Sequence, residues 1–153
     1  MNSFYRPIIL LLFVLLTLTL TVRHNSAAEG WEGCPDLTRF IEETDPEHKT
    51  WKDLYRLFKT YQECDDGVYS EGYSDFVAQS LARHWDHFHE LVSLVGNDST
   101  FHDFILRHIN ATASQGDVAA LLNNARTRCP SNSVLFCKEI EKAALSANDW
   151  FKK

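Results

Sequence analysis

The densest run of chemically capable side chains is Cys64-Asp65-Asp66-Gly67, followed by Glu71, Gly72, Tyr73 and Asp75. Clustered carboxylates can hold a cation or meet a basic partner. An EF-hand loop needs acids at alternating positions, a central glycine and a closing glutamate, and this spacing does not match. The same residues also suit a plainer role: a helix end, a glycine turn, then an acidic first turn that complements the next helix dipole. Asp65, Asp66, Glu71 and Asp75 stand as candidates for contacting a protein partner.

The second cluster is His84-Trp85-Asp86-His87-Phe88-His89-Glu90. Residues three apart share a helix face, so His84 and His87 are placed to ligate one metal ion. His89 points elsewhere, and no H-E-x-x-H pattern is present. A complete site needs a third ligand from another helix, for which His102, Asp103 and His108 are the candidates. The alternative is a partly exposed polar face beside an aromatic stripe. His108 lies on an apolar stripe and reads as a hydrogen-bonded core imidazole. A nucleophile is harder to find. There is no G-x-S-x-G elbow, and oxidised cysteines cannot serve a Cys–His pair. No catalytic residue and no cofactor are assigned, and no turnover is expected.

The four cysteines, Cys34, Cys64, Cys129 and Cys137, are even in number and lack any C-x-x-C pair, which favours disulfides over zinc. Three pairings are possible, and the helix layout favours one of them. Pro35–Glu43 and Pro46–Glu63 read as helices joined by Thr44-Asp45, with Asp45 as N-cap and Pro46 at the first helical position. A short connection makes them antiparallel and brings Cys34 towards Cys64. Cys129 and Cys137 flank the turn Pro130-Ser131-Asn132-Ser133. The expected bridges are Cys34–Cys64 and Cys129–Cys137.

Helical periodicity dominates the elements that must position these groups. Trp51, Leu54, Tyr55, Phe58 and Tyr61 recur at three- and four-residue steps. Phe76, Val77, Leu81 and Trp85 form a second stripe, continued by Phe88, Leu91, Val92 and Val95 up to a stop at Gly96-Asn97. Further stripes run through Phe101–Ile109 (capped by Ser99 or Thr100), Val118–Ala125 (started by Asp117) and Phe136–Trp150. No stretch alternates with period two. The reading is all-α, six to seven short helices in an orthogonal bundle or a short helix-pair superhelix.

The first 28 residues have another purpose. Met1–Arg6 is a basic leader, Ile8–Val22 an uncharged apolar run, and Ser26-Ala27-Ala28 a small-residue cleavage site. This is the three-part secretory signal, and the apolar run is shorter than the roughly 20 residues that span a bilayer. Residues 29–153 form the expected single domain. Removing residues 1–28 takes away Arg6 and Arg23, leaving 13 basic against 21 acidic side chains and a net charge of −8. That sign argues against a nucleic-acid binder. Asn97-Asp98-Ser99 and Asn110-Ala111-Thr112 fit the N-glycosylation pattern, which matters only in a glycosylating secretory pathway.

At Cys64-Asp65-Asp66-Gly67, Glu71-Gly72-Tyr73-Ser74, His84-Trp85, Leu106-Arg107-His108-Ile109 and Asn124-Ala125-Arg126-Thr127-Arg128-Cys129-Pro130 the chain resembles small exported proteobacterial proteins of unknown function. The likeness runs roughly from Trp51 to Ala144 and implies a periplasmic location. A looser similarity of type is to periplasmic immunity proteins, which are also small, signal-bearing, helical and disulfide-braced. The expectation that follows is a periplasmic or secreted protein-binding module with a protein partner, such as an immunity-like inhibitor of a toxin. The alternatives are a small-molecule carrier with an aromatic-lined cavity, or a metal protein or enzyme using the His84/His87 region.

Overall fold

The computed structural model describes residues 33–152; the signal segment assigned to residues 1–28 lies outside the described residues. Among these residues there are seven α-helices and no strand: α1 (Leu37–Glu43), α2 (Trp51–Tyr61), α3 (Gly67–Arg83), α4 (Phe88–Asn97), α5 (Ser99–Arg107), α6 (Gln115–Thr127) and α7 (Val134–Trp150). Short 3-10 turns occupy Gln62–Cys64 and Trp85–His87. No described helix is long and apolar enough to cross a membrane.

Side-chain caps set the starts of α1, α2, α3, α5 and α6; α1 begins two residues after the expected Pro35, and the caps of α2, α5 and α6 are not the expected residues. Asp45 does not open α2. Its carboxylate instead closes a turn, accepting from the Glu47 amide at 3.0 Å and contacting His48 Nδ1 at 2.6 Å. The helix begins at Trp51, where Thr50 and Asp53 form a reciprocal capping box. Asp98, rather than Ser99 or Thr100, caps α5 by accepting from the amides of Thr100 and Phe101. Ser114, rather than Asp117, caps α6 by accepting from the Asp117 amide. In each case the capping oxygen sits one to five residues from the expected one and accepts from a free amide of the first turn.

α3 is the central element. Tyr73, Phe76 and Val77 on it are fully buried. It packs along α6, which in turn packs along α7. Asn124 of α6 donates to the carbonyls of Leu81 and Ala82 at 2.9 Å each, occupying acceptors that the C-terminus of α3 leaves free. The aromatic side chains fill the interior by contacting one another. Ring centroids are 5.0 Å apart for Phe40–Tyr73, 5.0 Å for Tyr73–Phe104 and 4.8 Å for Phe58–Phe104. A second stack, Trp85–Phe88–Phe136, joins the 3-10 turn, α4 and α7.

Two disulfides brace this bundle, Cys34–Cys64 and Cys129–Cys137, and every described cysteine is used. The first ties the segment before α1 to the end of the Gln62–Cys64 turn. The second closes the α6–α7 connection. Paired cysteines of this kind mark an oxidising, non-cytoplasmic environment.

Candidate functional site

Three places bring together chemistry-bearing side chains. The first is the corner between the Gln62–Cys64 turn and α3, where the acidic run lies. Asp66 caps α3, accepting from the Gly67 amide at 2.7 Å, and Gly67 takes the positive φ of 51° that this turn requires. Asp66, Glu71 and Asp75 remain on the surface. Asp75 is held above the ordinary carboxylate range, by partial burial first and then by the negative charges of Asp117 and Glu71.

Asp65 does something else. Its side chain is only 12% exposed and turns inward, where Oδ2 accepts from Arg107 Nη2 at 2.8 Å and Oδ1 lies 3.1 Å from His108 Nε2. The other ring nitrogen, Nδ1, is 3.0 Å from Ser74 Oγ. Of the four acids proposed for a partner, Asp65 is thus engaged within the fold. Periodicity gave no sign of this chain of contacts, because Asp65, Ser74 and His108 come from three separate elements. The core position of His108 was legible from its place on the apolar stripe, and it is 2% exposed.

An acid, an imidazole and a serine in line are the parts of a hydrolytic triad. Their placement denies that chemistry. Ser74 is completely buried, and its Oγ also lies 2.9 Å from the Ser70 carbonyl and accepts from Asn110 Nδ2 at 3.0 Å. A substrate carbonyl has no route to it. Burial lowers the pKa of His108, against the pull of Asp65, and Arg107 adds to the lowering. Burial raises Asp65, but His108, Arg107 and Ser70 together outweigh it and hold the carboxyl below its usual range. The Asp65 Oδ1, His108 Nε2 and Tyr73 hydroxyl atoms are buried without an aligned hydrogen bond.

The second place is a cleft of about 220 Å³ lined by Glu47, His48, Thr50, Ser80, His84 and His87, among others. His84 and His87 do not share a regular helix face, since α3 ends at Arg83 and a 3-10 turn begins at Trp85. The cleft nevertheless takes a wall from each. His84 Nε2 lies 3.7 Å from Glu47 Oε1, and His87 Nε2 lies 3.4 Å from Asp86 Oδ2. Among the described residues no group of three or more His, Cys, Asp or Glu side chains is gathered to hold a metal ion. The third-ligand candidates lie elsewhere: His108 in the core, and His102 between Asp103 and Glu139.

The third place is a groove of about 490 Å³ between α4 and the start of α7. Val92, Val95 and Phe136 are among its lining residues, with Val134 and Leu135 at its edge. Leu135 is 80% exposed, the most exposed of the large apolar side chains among the described residues. Glu139 holds His102 at 2.9 Å across the polar rim. Sequence reasoning missed this groove. Its one signal was Val134-Leu135 directly after the Pro130–Ser133 turn, where a helix start would ordinarily be polar.

Comparison with protein-family models, with curated proteins and with solved structures returns no match.

Proposed function

We propose that this chain is an exported, helical protein-binding module that acts by docking and not by turnover. The observation that carries the reading is the groove beside the Cys129–Cys137 clasp: an apolar floor, a polar rim and a fully presented Leu135 on a braced helix start. That is the anatomy of a helix- or loop-accepting surface, in which a few apolar anchors supply most of the binding energy. The acidic surface of Asp66, Glu71 and Asp75 suits a basic partner and would speed encounter rather than set affinity. A periplasmic inhibitor that neutralises a basic toxin face fits both features.

The test is retention of a partner from periplasmic extract by wild type and by two variants. Leu135→Asp loses the partner. Glu71→Lys/Asp75→Lys keeps it, with slower capture at low salt and a difference from wild type that shrinks as salt is raised. Equal retention by Leu135→Asp would rule the groove out. The volume of the same groove also suits a small apolar ligand, since ligand sites run from about 300 to 1,000 Å³. Native mass spectrometry separates that reading: a retained ligand favours a carrier, and a clean apo mass favours protein docking.

A further inference from the structure

We propose that the Asp65–His108–Ser74 chain is an acid-sensitive latch, which holds the Asp65–Gly67 corner against α5 at neutral pH and frees it in mildly acidic surroundings. The inference is independent of what the groove binds.

The argument begins with the serine proton. Ser74 has one hydroxyl hydrogen and two acceptors in reach, the Ser70 carbonyl at 2.9 Å and His108 Nδ1 at 3.0 Å. With His108 neutral and its proton on Nε2 facing Asp65, Nδ1 is a bare acceptor and the Ser74 hydroxyl must turn to it. With His108 doubly protonated, Nδ1 becomes a donor to Ser74, and the hydroxyl must turn back to Ser70. Asn110 donates to the same oxygen in both states and leaves it no third option. The protonation state of the imidazole therefore sets the direction of the Ser74–His108 contact and the acceptor to which the Ser74 hydroxyl turns.

The surroundings decide which state the fold prefers. Asp65 is the carboxylate facing the ring, and Arg107, on the adjacent residue, already occupies its other oxygen at 2.8 Å. From α3 the ring faces Tyr73, whose centroid is 5.6 Å away and whose buried hydroxyl has no partner; Tyr61 adds its own phenol near Tyr73. From α5 it faces the Phe104 ring at 4.3 Å. Burial first, and then the Arg107 charge, disfavour a cation on the ring against the pull of Asp65, so the neutral ring belongs to the native state.

Acidification forces the issue. A proton on His108 sets imidazolium beside guanidinium with one carboxylate between them. Asp65, held below the usual carboxylate range, keeps its charge there, so the buried imidazolium is the event that loosens the link from α5 to the Asp65–Gly67 corner. The corner is leashed by the Cys34–Cys64 bridge immediately before it, which makes the release local and reversible. Its nearest dependant is α1, through the Tyr69 hydroxyl, which donates to the Pro35 carbonyl at 2.7 Å.

The experiment is hydrogen exchange by mass spectrometry on the disulfide-intact chain at pH 7 and pH 5, corrected for intrinsic exchange, with an NMR titration of the His108 ring. The latch predicts at least a tenfold loss of protection over residues 65–74 and 104–110 at pH 5, with α6 and α7 unchanged. It also predicts amide shifts at Asp65 and Ser74 that follow the His108 titration. His108→Gln should make protection in both segments the same at the two pH values. Unchanged protection in wild type, or loss of equal size in α6 and α7, would overturn the proposal. So would a His108 titration that leaves Ser74 undisturbed, which can be read even if His108→Gln fails to fold.

Discussion

Phe40 of α1 lies directly over Gly72 of α3: a Cβ built on Gly72 would stand 2.5 Å from Phe40 Cε1. The glycine is there for approach, since its own φ is not positive. Removing the side chain lets α1 drop onto α3, where Phe40 makes edge contacts with Tyr69 at 4.8 Å and Tyr73 at 5.0 Å. Gly72→Ala should therefore destabilise the fold by about 1–3 kcal/mol, the usual cost of overpacking, although alanine is the better helix former. Urea unfolding checks this. A more stable variant would mean that α1 does not sit as described.

Asp98 joins two helices through one carboxylate. It caps α5 and also accepts from the Tyr55 hydroxyl at 3.0 Å and from Lys59 at 3.1 Å, both on α2. Hydrogen bonds from Thr100 and Phe101, then from Lys59 and Tyr55, hold its pKa well below the ordinary carboxylate range. A depressed carboxylate stabilises the fold above its unfolded pKa and loses that contribution as pH falls through the folded one. Asp98→Ala should cost about 1–2 kcal/mol at neutral pH by the loss of the cap alone. The gap from wild type should narrow in strong acid. Denaturation at a series of pH values measures both.

His102 bears on the groove rim with the opposite sign. Burial would lower its pKa, but hydrogen bonds to Asp103 and Glu139 outweigh this and raise it. A raised histidine contributes its stability below the unfolded value of about 6.5 and loses it as pH climbs through the higher folded value. Glu139→Gln should move the His102 midpoint downwards in an NMR titration. An unmoved midpoint would show that the rim pair does not form in solution.

The two disulfides close loops of different length, with sequence separations of 30 and 8 residues. On the chain-entropy model they contribute about 3.5 and 2.5 kcal/mol respectively. Cys129→Ser/Cys137→Ser should lower stability in oxidising buffer and match wild type once a reductant has opened both chains. Equal stability in air would mean that the second bridge adds nothing.

How much of this was readable in advance depends on the range of each interaction. The stripes from Trp51 to Tyr61 and from Phe76 to Leu81 mark the helices because burial repeats with the helical turn. Both bridges followed from helix order, since each joins residues that a short connection folds together. The starts of α2, α5 and α6 were misread by up to five residues. There several oxygens compete for the same free amides, and Thr50-Trp51-Lys52-Asp53 wins by satisfying two groups at once. His84 and His87 were placed on one helix face, but α3 ends between the stripe and the turn. Nothing local marks Ser74 and Asp65 as partners of His108; their contact arises only when α3 and α5 pack. The groove is likewise a product of packing, visible in sequence only as Val134 and Leu135 where polar residues are usual.

The claim on which the account turns is that the α4–α7 groove is the working surface. A photo-crosslinking side chain placed at Leu135, with a control at Glu71, tests it most directly in the native compartment. The account predicts a discrete adduct from position 135 that disappears when Val92 on the groove lining is changed to Asp. Adducts from position 71 and none from position 135 would contradict it.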